Sequence, residues 1–420
     1  MAIFFDDYAN TIVVGTTMRP ITDRFRISRE KLAYLVDSTA APVAGVAIIS
    51  TWIGFEVGLF EDAMNSLGTN ISGYELFFRA LPARFYCLLT LFFVLVSTLM
   101  QRDFGPMLRA ERRAQRHNQP LAPGDQPMTG EESTVPEHPD LEAHWSVAAL
   151  PVGLVVFAVL AGMHWDAREA EAVIAARNEH SFFSRSYWTA VFSNADGAKV
   201  MFLSSLAGSM LAFALARTRR STVDGNRPLS MAAILRTWAS GITGFYYALL
   251  ILVLAWAIKE MCQAVHTSDY LVGALENVLD PHFLPIIVFA LAAAVAFSIG
   301  TSWTTMAILL PTMIPVAYQL GDLALAVLVA AAVLDGAIFG DHCSPLSDTT
   351  VLSSIAASCD HIAHVRTQAP YALTTMAIAA TFGYLGSTLF YSTVVGLLLG
   401  MAAVVIALLV VGRSPDSEPS

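Results

Sequence analysis

The sequence predicts an all-α polytopic membrane protein, and both its composition and the spacing of its apolar segments point to this class. Hydrophobic residues make up 55% of the 420 residues and charged residues only 14%, with a mean hydropathy of +0.57. Soluble domains usually carry about 25% charged residues. A membrane-spanning helix needs about 20 mainly apolar residues. The segments that meet this requirement are 40–60, 80–100, 145–163, 197–216, 242–261, 369–390 and 391–412.

A further apolar stretch, 283–358, is interrupted twice by small and polar residues, at 300–305 and at 340–350. Irregular backbone at membrane depth is tolerated only where it is buried in protein or lines a cavity. We therefore expect broken or re-entrant helices here, as in secondary-transporter folds with inverted repeats. A patch of small residues that packs helices together is the alternative for 300–305.

A weak internal repeat favours an architecture of two halves. Phe-Asp-Asp at 5–7 and Phe-Gly-Asp at 339–341 are each followed by a span that opens with Ala-Pro, at 41–42 and 369–370. Secondary transporters place their sites where broken helices of two such repeats meet. The relative orientation of the halves is left open by the charges of the loops.

The chain divides into five predicted segments. They are a first-half broken helix with two spans (1–100), a disordered cytoplasmic linker (101–143), middle transmembrane helices (144–282), second-half broken helices with terminal spans (283–412) and a polar tail (413–420). Basic residues cluster at 19–31, 102–116 and 217–227. Short loops rich in Lys and Arg stay in the cytoplasm, so all three clusters are expected on the cytoplasmic side.

The segment 335–350 combines carboxylates, hydroxyls and a Gly/Pro pair within apolar surroundings. An ionisable residue at membrane depth costs several kcal/mol unless it meets water, a partner or a cation, so it indicates a functional site. Sodium, like calcium and magnesium, is a hard cation that prefers oxygen ligands. A carboxylate there can hold either sodium or a proton, and this competition would couple the two fluxes.

The predicted cation- and proton-binding residues all carry side-chain oxygens near the expected helix breaks. They are Asp341, Asp348, Ser344, Thr349, Asp335, Asp6, Asp7, Asn10, Thr301 and Ser302. Asp341 and Asp348 are the principal ligands, and the residues at 6–10 would supply the opposite half of the site. Gly340 and Pro345 are expected to interrupt the helix and free backbone carbonyls.

Simpler structural roles stay open for three aspartates. Asp348 precedes an apolar run and could cap a helix N-terminus, a position that Asp favours. Asp37 stands with Ser38 and Thr39 before a proline and is expected to be a cap. Asp335 could instead pair with another buried group.

An intramembrane metalloprotein is a further alternative. His361 and His364 are spaced i, i+3, and they lie near His342, Cys343 and Cys359 in sequence; imidazole and thiolate ligands suit zinc. The chain has no tight Cys-x-x-Cys or His-Glu-x-x-His pattern, so neither a metal cofactor nor enzyme activity is expected. The net charge of −10 argues against nucleic acid as a partner. The sequence also lacks the phosphate-binding loop of ATP-driven pumps.

Several long motifs resemble the NhaC family of sodium/proton antiporters. They are Gly-Asp-His-Cys-Ser-Pro-Leu-Ser-Asp-Thr-Thr at 340–350, Gly-Thr-Ser-Trp-Thr-Thr-Met at 300–306, Phe-Phe-Asp-Asp-Tyr-Ala-Asn-Thr at 4–11, and two stretches at 18–34 and 37–42. Because these motifs lie at both ends of the chain, coincidence does not explain them. The middle of the chain, from about 100 to 280, adds little beyond its hydropathy.

The resemblance implies an inner-membrane carrier that exchanges sodium for protons, or in some members malate for lactate. In the family, membrane segments precede the Phe-Asp-Asp motif, which here stands at 5–7. The resemblance therefore implies that these N-terminal segments are missing from this chain. Sodium is favoured over an organic acid because the basic residues cluster in loops. The expected partners are sodium ions, protons and the lipid bilayer, and the sequence leaves open whether the chain is a monomer or a homodimer.

Overall fold

The described part of the chain is helical apart from one short pair of strands, which confirms the all-α prediction. A computed structural model describes residues 6–48, 50–127, 146–221, 227–244 and 280–416, with a few isolated positions between 257 and 270. The chain divides into two compact units. One unit comprises Met1–Thr129 with Leu254–Ser420, and the other comprises Gly130–Val253.

The first unit contains helices from both ends of the chain. Its N-terminal helices are α1 (Asp7–Arg24), α2 (Arg29–Ala44), α3 (Thr51–Ser66), α4 (Gly73–Ala80), α5 (Phe85–Met100) and α6 (Gly105–His117).

The second unit contains its own helices and the strand pair. They are α7 (Ser146–Ala167), α8 (Glu171–Glu179), α9 (Arg185–Asn194), α10 (Gly197–Thr218), β1 (Arg220–Ser221), β2 (Arg227–Pro228) and α11 (Met231–Gly244). The strands pair antiparallel. Helices α7 and α10 pack antiparallel, since Gly162 contacts Val200 and Gly208 contacts Val155.

The remaining helices belong to the first unit. They are α12 (Leu284–Ile299), α13 (Ser302–Leu320), α14 (Leu323–Cys343), α15 (Asp348–Ala357), α16 (His361–Ile378), α17 (Gly386–Leu389) and α18 (Thr393–Val410). A π-helical segment, Ala379–Leu385, joins α16 to α17.

Six helices of the described chain are long and apolar enough to cross a membrane, so the protein is a multi-pass membrane protein. They are Ala149–Ala167, Lys199–Thr218, Pro281–Ile299, Leu323–Cys343, His361–Leu389 and Thr393–Val410. A seventh span is formed if Gly73–Ala83 and Phe85–Met100, which meet at 49°, count as one broken helix.

Two predicted spans, 40–60 and 242–261, are not among the candidate spans of the described chain. The predicted span 40–60 is wrong, because α2 ends at Ala44 and α3 begins at Thr51. The side chain of Ser50 caps α3 by accepting a hydrogen bond from the Ile53 amide, so the chain turns between α2 and α3. The predicted span 242–261 lies almost wholly outside the described residues.

Both interruptions predicted within 283–358 are confirmed. The first falls at Gly300, whose φ of 79° suits glycine and whose hydrogen faces the Leu346 carbonyl at a distance that leaves no room for a side chain. The second falls between Cys343 and Asp348, where Pro345 cannot donate a backbone hydrogen bond.

Gly340 has a different role from the one predicted. It lies inside α14 and does not interrupt the helix. A Cβ at Gly340 would approach the Ala293 carbonyl oxygen to 2.4 Å and the Ala296 Cβ to 2.7 Å. Gly336, one turn earlier, meets α12 in the same way. The two glycines therefore let α12 and α14 pack closely side by side.

The predicted disordered linker begins with an ordered helix, so that part of the prediction is wrong. Helix α6 lies within 101–143 and is amphipathic. Its residues Met107, Ala110 and Ala114 are buried, and this burial gives the helix the tertiary packing that a charged segment on its own would lack. The part of the linker from 128 to 143 lies outside the described residues.

Candidate functional site

Helices α1 and α15 lie side by side and parallel. Tyr8 donates a hydrogen bond to the Asp348 carboxylate where the first turns of the two helices meet. Gly15 packs against Ala356 about two turns further along, and Arg19 reaches the Ser358 hydroxyl just after α15 ends. The two helix N-termini therefore lie together, and the partial positive charges of their free amides face one region.

Asp341 lies in the last turn of α14, next to this region. Its Oδ2 atom accepts hydrogen bonds from Ser302 at 2.8 Å and from Thr349 at 3.4 Å. Its Oδ1 atom is buried and has no hydrogen-bond partner among the described residues. Asp341 is thus a buried carboxylate with one oxygen held by hydroxyls and the other open.

Asp7 is the second such carboxylate. It is fully buried in the first turn of α1, where the Trp52 indole N–H is near its carboxylate, and neither of its oxygens forms a hydrogen bond of good geometry within the described chain. Asp7 and Asp341 each lie within electrostatic range of Asp348. We call Asp7, Asp341 and Asp348 the carboxylate cluster.

No basic counterpart of the carboxylate cluster is found in the described part of the chain. Within the described ranges, no lysine or arginine forms an ion pair with any of its three members. Removing charged groups from water costs several kcal/mol per ion unless an opposite charge or a proton compensates. The cluster can therefore bind protons or a small cation.

Of the other predicted site residues, some lie beside Asp7 and others lie at the two helix breaks. Asn10 is buried one turn after Asp7, and Asp6 accepts a hydrogen bond from Thr51 at 3.1 Å. By contrast, the Ser344 hydroxyl donates to the Phe297 carbonyl at 2.8 Å and so braces the helix break. Thr301 precedes the first residue of α13, and its carbonyl accepts from Thr305.

Asp348 is not the N-cap residue of α15, although its Oδ1 atom accepts a hydrogen bond from the Thr349 amide at 2.8 Å. Ser347 is the capping residue, since its hydroxyl accepts a hydrogen bond from the Thr350 amide. Asp348 occupies the first helical position beside the positive end of the helix dipole, where a carboxylate is stabilised.

Asp335 lies apart from the carboxylate cluster in an ion pair, one of the two roles the sequence left open for it. Arg84 Nε donates to it at 3.1 Å, and the Tyr86 amide and Tyr384 hydroxyl donate at 2.6 and 2.8 Å. Arg84 also contacts Glu56 at 3.3 Å. The expectation that basic residues stay in loops is wrong for Arg84, which is fully buried where the α4–α5 pair bends.

Asp37, expected to be a cap, is a buried residue in the middle of α2, whose cap is Ser28. Its carboxylate accepts hydrogen bonds from Thr350 at 3.1 Å, Ser353 at 3.3 Å and Gln368 at 2.6 Å. Sequence reasoning missed it because α2 has no break at this point. Because α2 is buried on nearly all sides, it has no single apolar face whose helical phase could mark Asp37 as buried.

The histidines predicted as alternative metal ligands are engaged with other groups. His361 and His364 both contact the Ser354 hydroxyl, at 3.1 and 3.0 Å. The described residues contain no group of three His, Cys, Asp or Glu side chains that could hold a metal ion.

These features define a multi-pass membrane protein with broken helices around buried, uncompensated carboxylates, an arrangement typical of secondary transporters. A family model described as the Na+/H+ antiporter family matches residues 43–387. The chain belongs to this family.

Individual relatives agree with this membership. An uncharacterized protein of Haemophilus influenzae is 33% identical over 410 residues, which cover 97% of this chain and 72% of the relative. An uncharacterized Na(+)/H(+) antiporter of the same organism is 42% identical over 90 residues, 21% of this chain and 19% of that protein. The malate-2H(+)/Na(+)-lactate antiporter of Bacillus subtilis is 33% identical over 141 residues, 33% of this chain and 24% of that protein. No solved structure matches the chain.

Proposed function

We propose that the chain is a secondary active transporter that exchanges sodium for protons across the inner membrane by alternating access. Sodium and protons compete for the carboxylate cluster, and the empty, charged cluster crosses the membrane barrier poorly. This competition couples the two fluxes. The residue proposed to contact the cation directly is Asp341, with the hydroxyl oxygens of Ser302 and Thr349 beside it. Asp348, Asp7 and Asn10 are proposed to act on the same ion from a greater distance, because the two carboxylates lie within electrostatic range of each other and Asp348 also lies within that range of Asp341.

The observation that carries the proposal is the state of Asp341. Its Oδ1 atom is buried without a hydrogen-bond partner among the described residues, so it can accept a cation or a proton. The hydroxyl groups of Ser302 and Thr349 donate hydrogen bonds to Oδ2. Their oxygens keep lone pairs that a hard cation can use.

The charge of the cluster supports the same exchange. Three carboxylates without an arginine or lysine in the described surroundings are too costly to keep ionised at membrane depth. A sodium ion removes part of this cost, and protons remove it as well. The cluster is therefore most stable when it holds either sodium or protons, and exchange requires this condition.

Organic-acid exchange of the malate/lactate type is the runner-up. A dicarboxylate calls for a cationic side chain, and the buried Arg84 is of the right chemical type. Its guanidinium already contacts Asp335, Glu56 and the Gly45 carbonyl, which leaves it poorly placed to bind a second anion. The geometry therefore favours a cation as substrate.

The proposal is tested by sodium-triggered proton movement in proteoliposomes that contain a pH-sensitive dye. A saturable signal in the wild type that is lost in Asp341→Asn is the expected result. Asp322→Asn is the matched control, because Asp322 caps the opposite, exposed end of the same helix and asparagine caps equally well. A wild-type protein without a sodium-dependent signal, or an Asp341→Asn variant with the wild-type rate, would overturn the proposal.

A further inference from the structure

A chain of hydrogen bonds leads from the buried Asp37 to a partly exposed histidine. Gln368 Nε2 donates to Asp37 Oδ2 at 2.6 Å, and Gln368 Oε1 lies 2.9 Å from His364 Nε2. His364 Nδ1 lies 3.0 Å from the Ser354 hydroxyl. The same hydroxyl lies 3.1 Å from Nδ1 of His361, which is partly exposed.

The partners of this chain fix which nitrogen of each histidine is free to gain a proton. The Gln368 amide nitrogen donates to both Asp37 and the His342 carbonyl, so its oxygen must accept from His364 Nε2. The Pro345 carbonyl, 2.8 Å from His361 Nε2, can only accept. In both rings Nε2 therefore carries a hydrogen, and Nδ1 is the basic atom.

The two basic nitrogens face the same hydroxyl group. The Ser354 hydroxyl also lies 2.8 Å from the Thr350 carbonyl oxygen, so it must first turn its hydrogen toward His364. It can then accept a proton at Oγ from protonated His361 Nδ1 while its own proton passes to His364 Nδ1. One N–H and one O–H bond break as one of each forms, so the serine remains a neutral hydroxyl. The proton has then moved from a partly exposed ring to a fully buried one.

Asp37 is placed to stabilise the charge that arrives. Its Oδ2 atom lies 3.8 Å from His364 Nε2, close enough for an ion pair once the ring is protonated. In the described structure, the other titratable groups that interact with this pair are Asp341, His342 and Cys343 of α14, Asp348 of α15, and His361, which precedes His364 on α16. Asp37 is the carboxylate that pairs with His364, so it favours a proton on that ring.

The pair of Asp37 and His364 is also connected to the carboxylate cluster. The Thr350 hydroxyl lies 3.1 Å from Asp37 Oδ2 and 3.3 Å from the Asp341 carbonyl oxygen. Thr349, the neighbouring residue, contacts the Asp341 carboxylate. Two consecutive residues of α15 thus contact the two aspartates, and a change of charge at one site acts on the other over a short distance.

The His361 end of this hydrogen-bond chain lies on the same side as the basic loops. Arg19 reaches Ser358, and Arg29 donates to the Ala357 carbonyl at 2.7 Å, just before α16 begins. These arginines belong to the cluster that the sequence places in the cytoplasm. His361, the first residue of α16, therefore opens toward the cytoplasmic side.

We propose that His364 is a second proton-binding site, filled from the cytoplasmic side through His361 and Ser354 and stabilised by Asp37. This inference rests on the proposed function, because it supplies the protons for that exchange. It assigns His361 and Ser354 to proton transfer and separates their role from sodium binding by Asp341. It also gives the protein a proton site that sodium does not occupy.

The first test compares exchange by Ser354→Ala, His361→Gln and the wild type in proteoliposomes between pH 6 and pH 9. Loss of a positioned proton-transfer group is expected to lower the maximal rate about tenfold or more, with an unchanged half-saturating sodium concentration. Ser298→Ala is the matched control, since Ser298 makes the same bond to the carbonyl four residues before it as Ser354 does, without a histidine contact. Wild-type maximal rates in both variants would overturn the inference.

A second measurement does not depend on transport. Nitrogen-15 NMR of histidine-labelled protein should show that His364 gains a proton at Nδ1 and that Asp37→Asn moves its titration to lower pH. A His364 ring that stays neutral from pH 5 to pH 9 would overturn the inference even if exchange is observed. A wild-type protein that shows this titration but no sodium-dependent signal would instead overturn the proposed function alone.

Discussion

The Tyr8 hydroxyl donates a hydrogen bond to the Asp348 carboxylate and so joins the first turn of α1 to the first turn of α15, 340 positions later in the sequence. Both helices end toward the basic loops, as the contact between Arg19 and Ser358 shows. The contact therefore fixes two short parallel helices at their N-terminal ends. Both ends of the sequence contribute to one site through this bond.

Tyr8→Phe is expected to strengthen sodium binding without unfolding the protein. The change leaves a buried carboxylate oxygen of Asp348 without its donor when the site is empty, which costs about 1–3 kcal/mol, and a bound cation recovers part of this cost. The measurement is the half-saturating sodium concentration for exchange at high pH, where few protons compete, and this concentration should fall. Tyr318→Phe is the control, because Tyr318 lies near the far end of α13 from Ser302. Equal sodium dependence in Tyr8→Phe and the wild type would show that this bond only braces the helices.

Arg84→Met is expected to destabilise the protein strongly. It removes the cation from Asp335 and Glu56, both of which are fully buried, and breaking a buried pair on one side costs about 3–5 kcal/mol. The thermal unfolding temperature in detergent should fall by more for Arg84→Met than for the double variant Arg84→Met with Asp335→Asn, which leaves one carboxylate fewer without a partner.

Asp335→Asn separates the two roles considered for this residue. A structural ion pair predicts a lower unfolding temperature and an unchanged half-saturating sodium concentration in the protein that folds. An Asp335→Asn variant with wild-type stability and weakened sodium dependence would instead place Asp335 in the cation site, as the sequence predicted.

Gly340→Ala is expected to prevent close packing of α12 against α14. The new methyl group would lie 2.4 Å from the Ala293 carbonyl oxygen, and overpacking of this kind costs about 1–3 kcal/mol or more. Gly58→Ala is the matched control within helix α3, since its Cβ would meet nothing within 4 Å. Unfolding temperatures in detergent should fall for the first variant and stay level or rise for the second. Equal values would show that the helices can separate at no cost.

The packing of α6 is expected to weaken as pH rises. Burial raises the pKa of Glu111 from its usual value, although the amide and hydroxyl of Ser28 donate to its carboxylate at 2.9 and 2.6 Å. A raised pKa in the folded state means that the folded protein holds the proton more tightly than the unfolded chain. Its contribution to stability is complete below the usual value of 4.5 and is lost as pH rises through the raised pKa.

Hydrogen exchange of the α6 amides, measured from pH 5 to pH 8 and corrected for intrinsic rates, tests this pH dependence. Protection should decrease with pH in the wild type and become flatter in Glu111→Gln, which keeps an acceptor for Ser28 but has no proton to lose. Glu75→Gln is the control, because Glu75 forms an exposed pair with Arg79 in α4. A pH dependence in Glu111→Gln as steep as that of the wild type would contradict the prediction.

The sequence by itself determined the helical membrane class, because apolar length and low charge leave few other options for burying such segments. It also located both interruptions, at Gly300 and between Cys343 and Asp348, since glycine and proline act on the backbone locally. The concentration of carboxylates and hydroxyls at 341–350 marked the candidate site for the same local reason.

Only the tertiary structure decided which partner each aspartate meets. Asp335 pairs with Arg84, Asp348 with Tyr8, and Asp37 with Gln368, and each partner lies far away in the sequence. A carboxylate looks the same in sequence whether an arginine, a hydroxyl or a cation compensates its charge. The pairing depends on how the helices pack, which is a property of the whole fold and not of any local segment.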